Sequence, residues 1–348
     1  MERFVIGTGR CGSTMLSTML ACHPQALMLS ECLGALDRRR HLKKGVVTKD
    51  ELQEILQANI PIIDMCAARG RADKETLRDL LDPSKASPPG ILIAALPFLT
   101  DKPDELFSDM LCLTENFPSQ TMGEHYDRIF VWLQQRFGKS FWIERTGDSI
   151  AYVDQLYETF PDAKYLHIQR HGPEVVLSMS QHVYFSMVAS LFSKQLSREE
   201  IEQTEFASKP VSENDPISQR MFSHPASLEE VADLWNYELL MGYKTFAKMD
   251  ASQFREVRFE DIISKPAQTI EEIADFFDMP ASPDWIDQAA SKVDASIVSS
   301  SVTKLSEAAQ ASLEKACMPG QILQGRVNHP WILPSINLMY EYSAAGKA

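Results

Sequence analysis

FVIGTGRCGSTML, residues 4–16, is a hydrophobic run, a glycine-rich turn and the opening of a helix. Gly7 to Thr14 follow the frame G-x-x-x-x-G-K-[ST] of a phosphate loop, except that Ser13 stands in the lysine position. A strand followed by Gly7, Gly9 and Gly12 and a helix start aims unpaired N–H groups and the positive helix end at one point, which favours an anion. Arg10, at the crest, can supply the missing charge through two parallel hydrogen bonds to an oxyanion. The competing reading is a tight strand-to-helix turn in which Ser13 only caps the helix.

Outward from this loop the pattern is that of a parallel sheet. RFVI (3–6) and ALMLS (26–30) read as strands around a helix from about Ser13 to Cys22, which the His23-Pro24 pair ends. Residues 32–119 are expected to form a helical insertion with no strand rhythm. The sheet resumes after a helix at 121–137, with strands in SFWIERTG (140–147), AKYLHIQRHG (163–172) and FREVRFED (254–261). Helices are expected at 150–160, 173–192, 227–249 and 266–277, followed by a mostly helical tail. A second, polar insertion covers 193–226. The expected fold is a single α/β domain over 1–348, a central parallel sheet flanked by helices, P-loop-like and nucleotide-binding, with helical insertions.

Composition narrows the function. Hydrophobic residues make up 44% of the 348, enough for a large core, and no run reaches the length needed to span a bilayer. With a strand starting at Arg3 and no room for a signal peptide, a cytoplasmic protein is expected. The 6 cysteines carry no C-x-x-C pairing, so neither a disulfide framework nor a zinc site is expected. A net charge of −14 argues against nucleic acid or an anionic membrane as partner, so attraction for an anion must be local. No hydrophobic strand ends in an aspartate suited to hold magnesium beside Thr14.

A second candidate cluster is YLHIQRHGPEVVLSMS (165–180). Arg170 stands at a strand's carboxyl end and Ser178 two helical turns on, at the edge where parallel sheets gather ligands. The pair can grip a second phosphate, or be a salt-bridged arginine and a surface serine.

GTGRCGSTMLSTMLACHP (7–24) resembles the 5′-phosphosulfate-binding loop of sulfotransferases, and HIQRHGPEVVLS (167–178) their 3′-phosphate-binding segment. WIERTG (142–147), VRFEDIISKPAQTIEEIADFF (257–277) and TKLSEAAQASLEKA (303–316) follow the family's order. The resemblance runs from residue 3 to about 324, both insertions excepted.

It implies 3′-phosphoadenosine 5′-phosphosulfate (PAPS) as donor, 3′-phosphoadenosine 5′-phosphate (PAP) as product, and no metal. Gly9, Arg10, Cys11, Gly12, Ser13 and Thr14 would hold the 5′-phosphosulfate, with Arg10 in place of the lysine of many cytosolic members, as in tyrosylprotein and several bacterial sulfotransferases. Arg170 and Ser178 would meet the 3′-phosphate. Phe259 falls where relatives commonly carry a tyrosine, leaving ring packing, and Lys304 resembles a late donor-binding lysine, with Ser299, Ser300 and Ser301 nearby. His182 stands where some relatives have an arginine.

Glu31 lies 21 residues after Arg10, the interval at which tyrosylprotein sulfotransferases place a general-base glutamate. The alternative is a carboxylate that opens a helix, and His125, His167 and His182 are the reserve bases, His167 reading better as a core imidazole. Arg145 matches a lysine that stabilises charge on the oxygen bridging sulfur and phosphorus, or else pairs with Glu144. The run DRRRHLKK (37–44) reads as a solvated helix face, Trp235 and Tyr237 as core, and Cys11 as a small loop residue.

The expected reaction is sulfuryl transfer to the hydroxyl of a small-molecule or lipid acceptor. GILIAALPFL (90–99) could line its pocket or be the insertion's own core. The rivals are an ATP-dependent small-molecule kinase and a non-catalytic nucleotide-binding protein of the same fold.

Overall fold

The computed structural model describes residues 1–38, 40–60, 88–192, 225–293 and 301–327. The second insertion, apart from Ala226 and its predecessor, and the serines at 299 and 300 lie outside them.

Five strands form one parallel sheet: β1 (Arg3–Ile6), β2 (Ala26–Ser30), β5 (Phe141–Arg145), β6 (Lys164–Gln169) and β7 (Phe254–Arg258), in the order β2-β5-β1-β6-β7. A separate two-residue antiparallel ribbon pairs β3 (Val46–Val47) with β4 (Gln120–Thr121). This ribbon corrects the expectation of an all-helical first insertion: it ties that segment's early part to the residues that leave it.

Strand alternation feeds two cores. Phe4 and Ile6 of β1, Leu27 and Leu29 of β2, Trp142 of β5 and Tyr165 of β6 face one cluster; Val5, Met28, Ile143, Leu166 and Ile168 face the other. Both faces being covered, the strands read as continuous apolar runs. Helix α1 (Ser13–Ala21) sends Leu16, Met19 and Leu20 into the second cluster. The helices after β5 and β6, Val153–Thr159 and Gly172–Gln181, send Val153, Leu156, Val175, Val176 and Met179 into the first. Each such side chain, fully buried, contributes roughly 1.5–3 kcal/mol. Because the helix after β1 and those after its neighbours β5 and β6 lie on opposite faces, a crevice opens at the carboxyl ends of these strands.

The apolar stretch 173–192 was expected to be one helix and is two, Gly172–Gln181 and Val183–Phe192, bent by 100° at His182, which adopts an extended ψ of 124°. Neither proline nor glycine marks the break. The turn carries Tyr184 and Phe185 back over the crevice. Strand β7 ends at Arg258, and Phe259 already opens a helix, Phe259–Ser264. No single helix among the described residues is long and apolar enough to cross a membrane.

Candidate active site

The loop between β1 and α1 is shaped by left-handed backbone. Gly9 has φ 74°, Gly12 φ 97°, and between them Arg10, with a side chain, has φ 52°. Gly12 is the N-cap of α1 and supplies no side-chain cap; the first turn contains no acidic residue. Ser13 is therefore the first helical residue rather than the cap, and the turn's N–H groups point where an anion would be stabilised. Glycine is required by close approach as well: a Cβ on Gly12 would sit 2.1 Å from the Phe259 ring, and one on Gly9 equally close to Phe185. The Cys11 thiol turns inward into the core and burial raises its pKa, so any ligand contact at this position falls to its backbone.

The two arginine-bearing turns meet. Arg10 Nε donates to Ser178 Oγ at 3.1 Å, and Arg170 Nη1 donates to the Arg10 carbonyl at 3.3 Å. The Arg170 guanidinium lies 4.6 Å from the centroid of the Phe259 ring and its Nη2 3.8 Å from Glu174. Glu174 also accepts from the Val302 N–H at 3.4 Å, which brings the short helix Val302–Lys304 to the border of this corner. The Lys304 side chain is exposed there. Thus Arg10, Arg170, Ser178 and Phe259 form one cluster, with Lys304 at its margin.

Across the loop, Arg145 forms an ion pair with Glu31 and donates from Nη2 to Thr14 Oγ1 at 2.8 Å. The alternative partner, Glu144, is excluded by strand geometry: consecutive residues of β5 point to opposite faces, whereas β2 lies beside β5 with Ser30 in register with Arg145. Glu31 has φ 59°, its N–H donates to the Arg145 carbonyl at 2.7 Å, and no helix follows it, so it does not open one. Its carboxylate accepts from the Gly147 N–H, 3.2 Å to each oxygen. Among the described residues only Arg10, Glu31 and Asp278 combine a side chain with positive φ, and two of these three stand in the crevice. A left-handed non-glycine residue costs of order 1–3 kcal/mol, a strain that gathers at ligand sites.

The Glu31 carboxyl is pushed above its usual range, chiefly because the crevice desolvates it; Arg145 opposes that rise and Asp148 adds to it. Glu144 lies on the opposite side of β5, fully buried, and its pKa is raised to about 8, again by desolvation. It accepts from Thr146 Oγ1 at 2.7 Å and the Leu33 N–H at 3.2 Å, while Oε2 meets no hydrogen-bond partner.

The reserve bases His125 and His167 are not gathered here. His125 is buried between Gln120 and the Val47 carbonyl, and His167 of β6 pairs at 3.0 Å with Glu256, its register partner on β7. His171, four residues after His167, turns instead to Glu314 at 3.3 Å, so their spacing makes no joint site. His182 sits at the helix bend beside Phe185. Trp235 is core as expected, but Tyr237 is exposed and rests on Phe192, which corrects its assignment. Ile91 and Leu96 join the core between the insertion and the helix Met122–Arg136, around an apolar cavity of about 10 Å³, the room of a single water and too small for an acceptor.

The sequence reading missed Arg38 and Asp148. The described residues of the run 37–44 form turns and irregular chain, not a solvated helix face, and Arg38 Nη2 lies 2.5 Å from both carboxylate oxygens of Asp148. Charge-run statistics could not reveal this, but the adjacency of Asp148 to the strand exit ERTG was a usable signal.

A family model described as the sulfotransferase family matches residues 3–221 and 203–284. No curated protein sequence matches the chain. Among solved structures, a sulfotransferase domain from the curacin biosynthetic pathway is 14% identical, with 90% of this chain and 96% of that one covered and a TM-score of 0.46. The sulfotransferase domain of an olefin synthase from Synechococcus PCC 7002 is 15% identical, with 94% and 95% covered and a TM-score of 0.43. Sulfotransferase STF1 from Mycobacterium tuberculosis H37Rv is 16% identical, with 91% and 76% covered and a TM-score of 0.41. At these scores the assignment rests on the family model.

Proposed function

The chain belongs to the sulfotransferase family, and from that premise we propose that it transfers a sulfuryl group from PAPS to the hydroxyl of a small-molecule or lipid acceptor. The observation that carries this reading is the meeting of the Arg10 and Arg170 turns through Ser178 and the Arg10 carbonyl. A cationic, hydroxyl-bearing corner against a helix N-terminus suits a donor with two separate phosphate ends.

The donor supplies an activated sulfuryl group, whose bond to a 5′-phosphate oxygen breaks as the acceptor oxygen bonds to sulfur. The chain's residues hold the charges and the proton. The N–H groups from Gly9 to Thr14 and the Arg10 guanidinium bind the phosphosulfate end; Arg170 and Ser178 bind the 3′-phosphate, with Phe259 supporting Arg170. Arg145 and Arg10 stabilise the electron pair left on the 5′-phosphate oxygen of PAP. Glu31 takes the acceptor proton, and a carboxyl held above its usual range is a better base near neutral pH than an unperturbed one.

Thermal unfolding with PAP, AMP and ATP plus magnesium tests the donor. PAP at a hundred times its Kd should stabilise the protein by about 2.7 kcal/mol, with AMP weaker. A response to ATP with none to PAP overturns the reading in favour of a kinase. Glu31→Gln should retain the PAP response and lose about 10²- to 10⁴-fold in turnover with PAPS; near-normal turnover removes Glu31 from the mechanism. PAP binding without sulfation of any hydroxyl acceptor, across phenols, alcohols and lipids, would point to a non-catalytic protein.

A further inference from the structure

Arg38 and Asp148 are 110 residues apart in sequence and form a buried ion pair, with side chains 18% and 9% exposed. The Tyr184 hydroxyl, delivered by the bend at His182, donates to Asp148 Oδ2 at 3.0 Å. The Arg38 guanidinium lies 5.5 Å from the centroid of the Tyr152 ring and 6.0 Å from that of Tyr184. Its carbonyl meets Nδ1 of the buried His41 at 3.0 Å. An isolated charge in such surroundings would be heavily penalised, and an apolar pair of equal volume would serve packing as well.

Position gives the pair its meaning. Asp148 directly follows Gly147, whose N–H spans both oxygens of Glu31 at 3.2 Å. Fixing Asp148 therefore fixes the donor that orients the Glu31 carboxylate. We propose that the Arg38–Asp148 pair, closed by the Tyr184 hydroxyl, is a positioning unit for Glu31: it holds the Gly147 N–H against the carboxylate and balances the charge around it. The catalytic consequence rests on the reading of Glu31 as base; the positioning does not.

The charged and titratable groups around Glu31 are Arg145 and Glu144 on β5, Asp148 on the turn after it, Arg38 on the turns after β2, and the buried Cys32 thiol beside it. Asp148 and Arg38 act on Glu31 with opposite sign, the first favouring the protonated form and the second the carboxylate. Removing either exposes Glu31 to the other.

The test is a carbon-13 titration of the Glu31 carboxyl in PAP-bound full-length protein carrying Asp148→Asn or Arg38→Gln, with Glu31→Gln identifying the signal. D148N should move the Glu31 titration down in pH and R38Q should move it up, each by about 1 pH unit. The acidic limb of the kcat profile with PAPS should follow in the same two directions. Shifts of the same sign, or none in folded variants, overturn the proposal. If the titration shifts as expected while the kcat limb stays fixed, the positioning unit stands and Glu31 is not the base. Where a single variant does not fold, the double variant R38Q/D148N, which leaves no charge unpaired, decides. Faster hydrogen exchange at the Gly147 amide with a several-fold loss of kcat at unchanged PAPS KM supports the unit, and wild-type values for both overturn it.

Discussion

Arg10 Nε lies 3.1 Å from Ser178 Oγ across 168 residues of sequence. The contact joins the loop after β1, whose helix packs on one face of the sheet, to the helix after β6 on the other face, at the sheet's carboxyl edge. The proposed donor would touch both.

Because the two side chains touch, their losses should not add. Arg10→Ala removes charge-assisted bonds worth about 1.5–3 kcal/mol and should weaken PAP by roughly 10- to 100-fold. Ser178→Ala should cost about 10-fold or less, and the double variant less than the product of the singles. Calorimetric titration with PAP reads all three; strict additivity would show that the two residues contribute to PAP binding independently of their mutual contact.

Glu144 makes stability depend on pH. Its folded pKa, raised to about 8, exceeds the ordinary carboxyl value of 4.5, so the folded state keeps a proton that the unfolded chain has released between these limits. Stability should therefore be full below about pH 4.5 as far as this group is concerned and fall as pH rises toward 8, by at most about 1.4 kcal/mol per pH unit. Urea unfolding across this range should show the decline, and Glu144→Gln, neutral at every pH, should flatten it. An unchanged pH dependence in the variant would assign the decline to another group.

Gly12→Ala should be costly twice over. At φ 97° an alanine is strained, by about 1–3 kcal/mol, and its Cβ would press on the Phe259 ring, which supports Arg170. The expected outcome is a lower melting temperature together with weaker PAP binding. Adding Phe259→Leu should recover part of the melting temperature and none of the strain; an alanine variant with normal stability and binding would show that the loop is held less tightly than the Phe259 contact implies.

Much of this site was legible because its chemistry is local. Gly9, Arg10, Gly12 and Thr14 lie within one turn, and the spacing of Arg170 and Ser178 is a property of one strand exit and helix. The alternative of an Arg145–Glu144 pair could be set aside on the sequence too, since strand alternation points the two side chains to opposite faces. What stayed hidden were contacts whose partners are remote. Arg38 looked solvated because its counter-charge, Asp148, is 110 residues away, and the bend at His182 is unmarked because tertiary packing, not a helix breaker, produces it.

The sequence by itself determined the order of strands and helices, the apolar alternation that fills two cores, and the glycine-rich loop, because periodicity and φ preferences act between near neighbours. Only the tertiary structure decided that Glu31 meets Arg145 and Gly147, and that a buried pair stands behind them. Those contacts depend on which strands lie side by side, and that order is set by burying both faces of the sheet at once, a condition on the whole chain rather than on any segment of it.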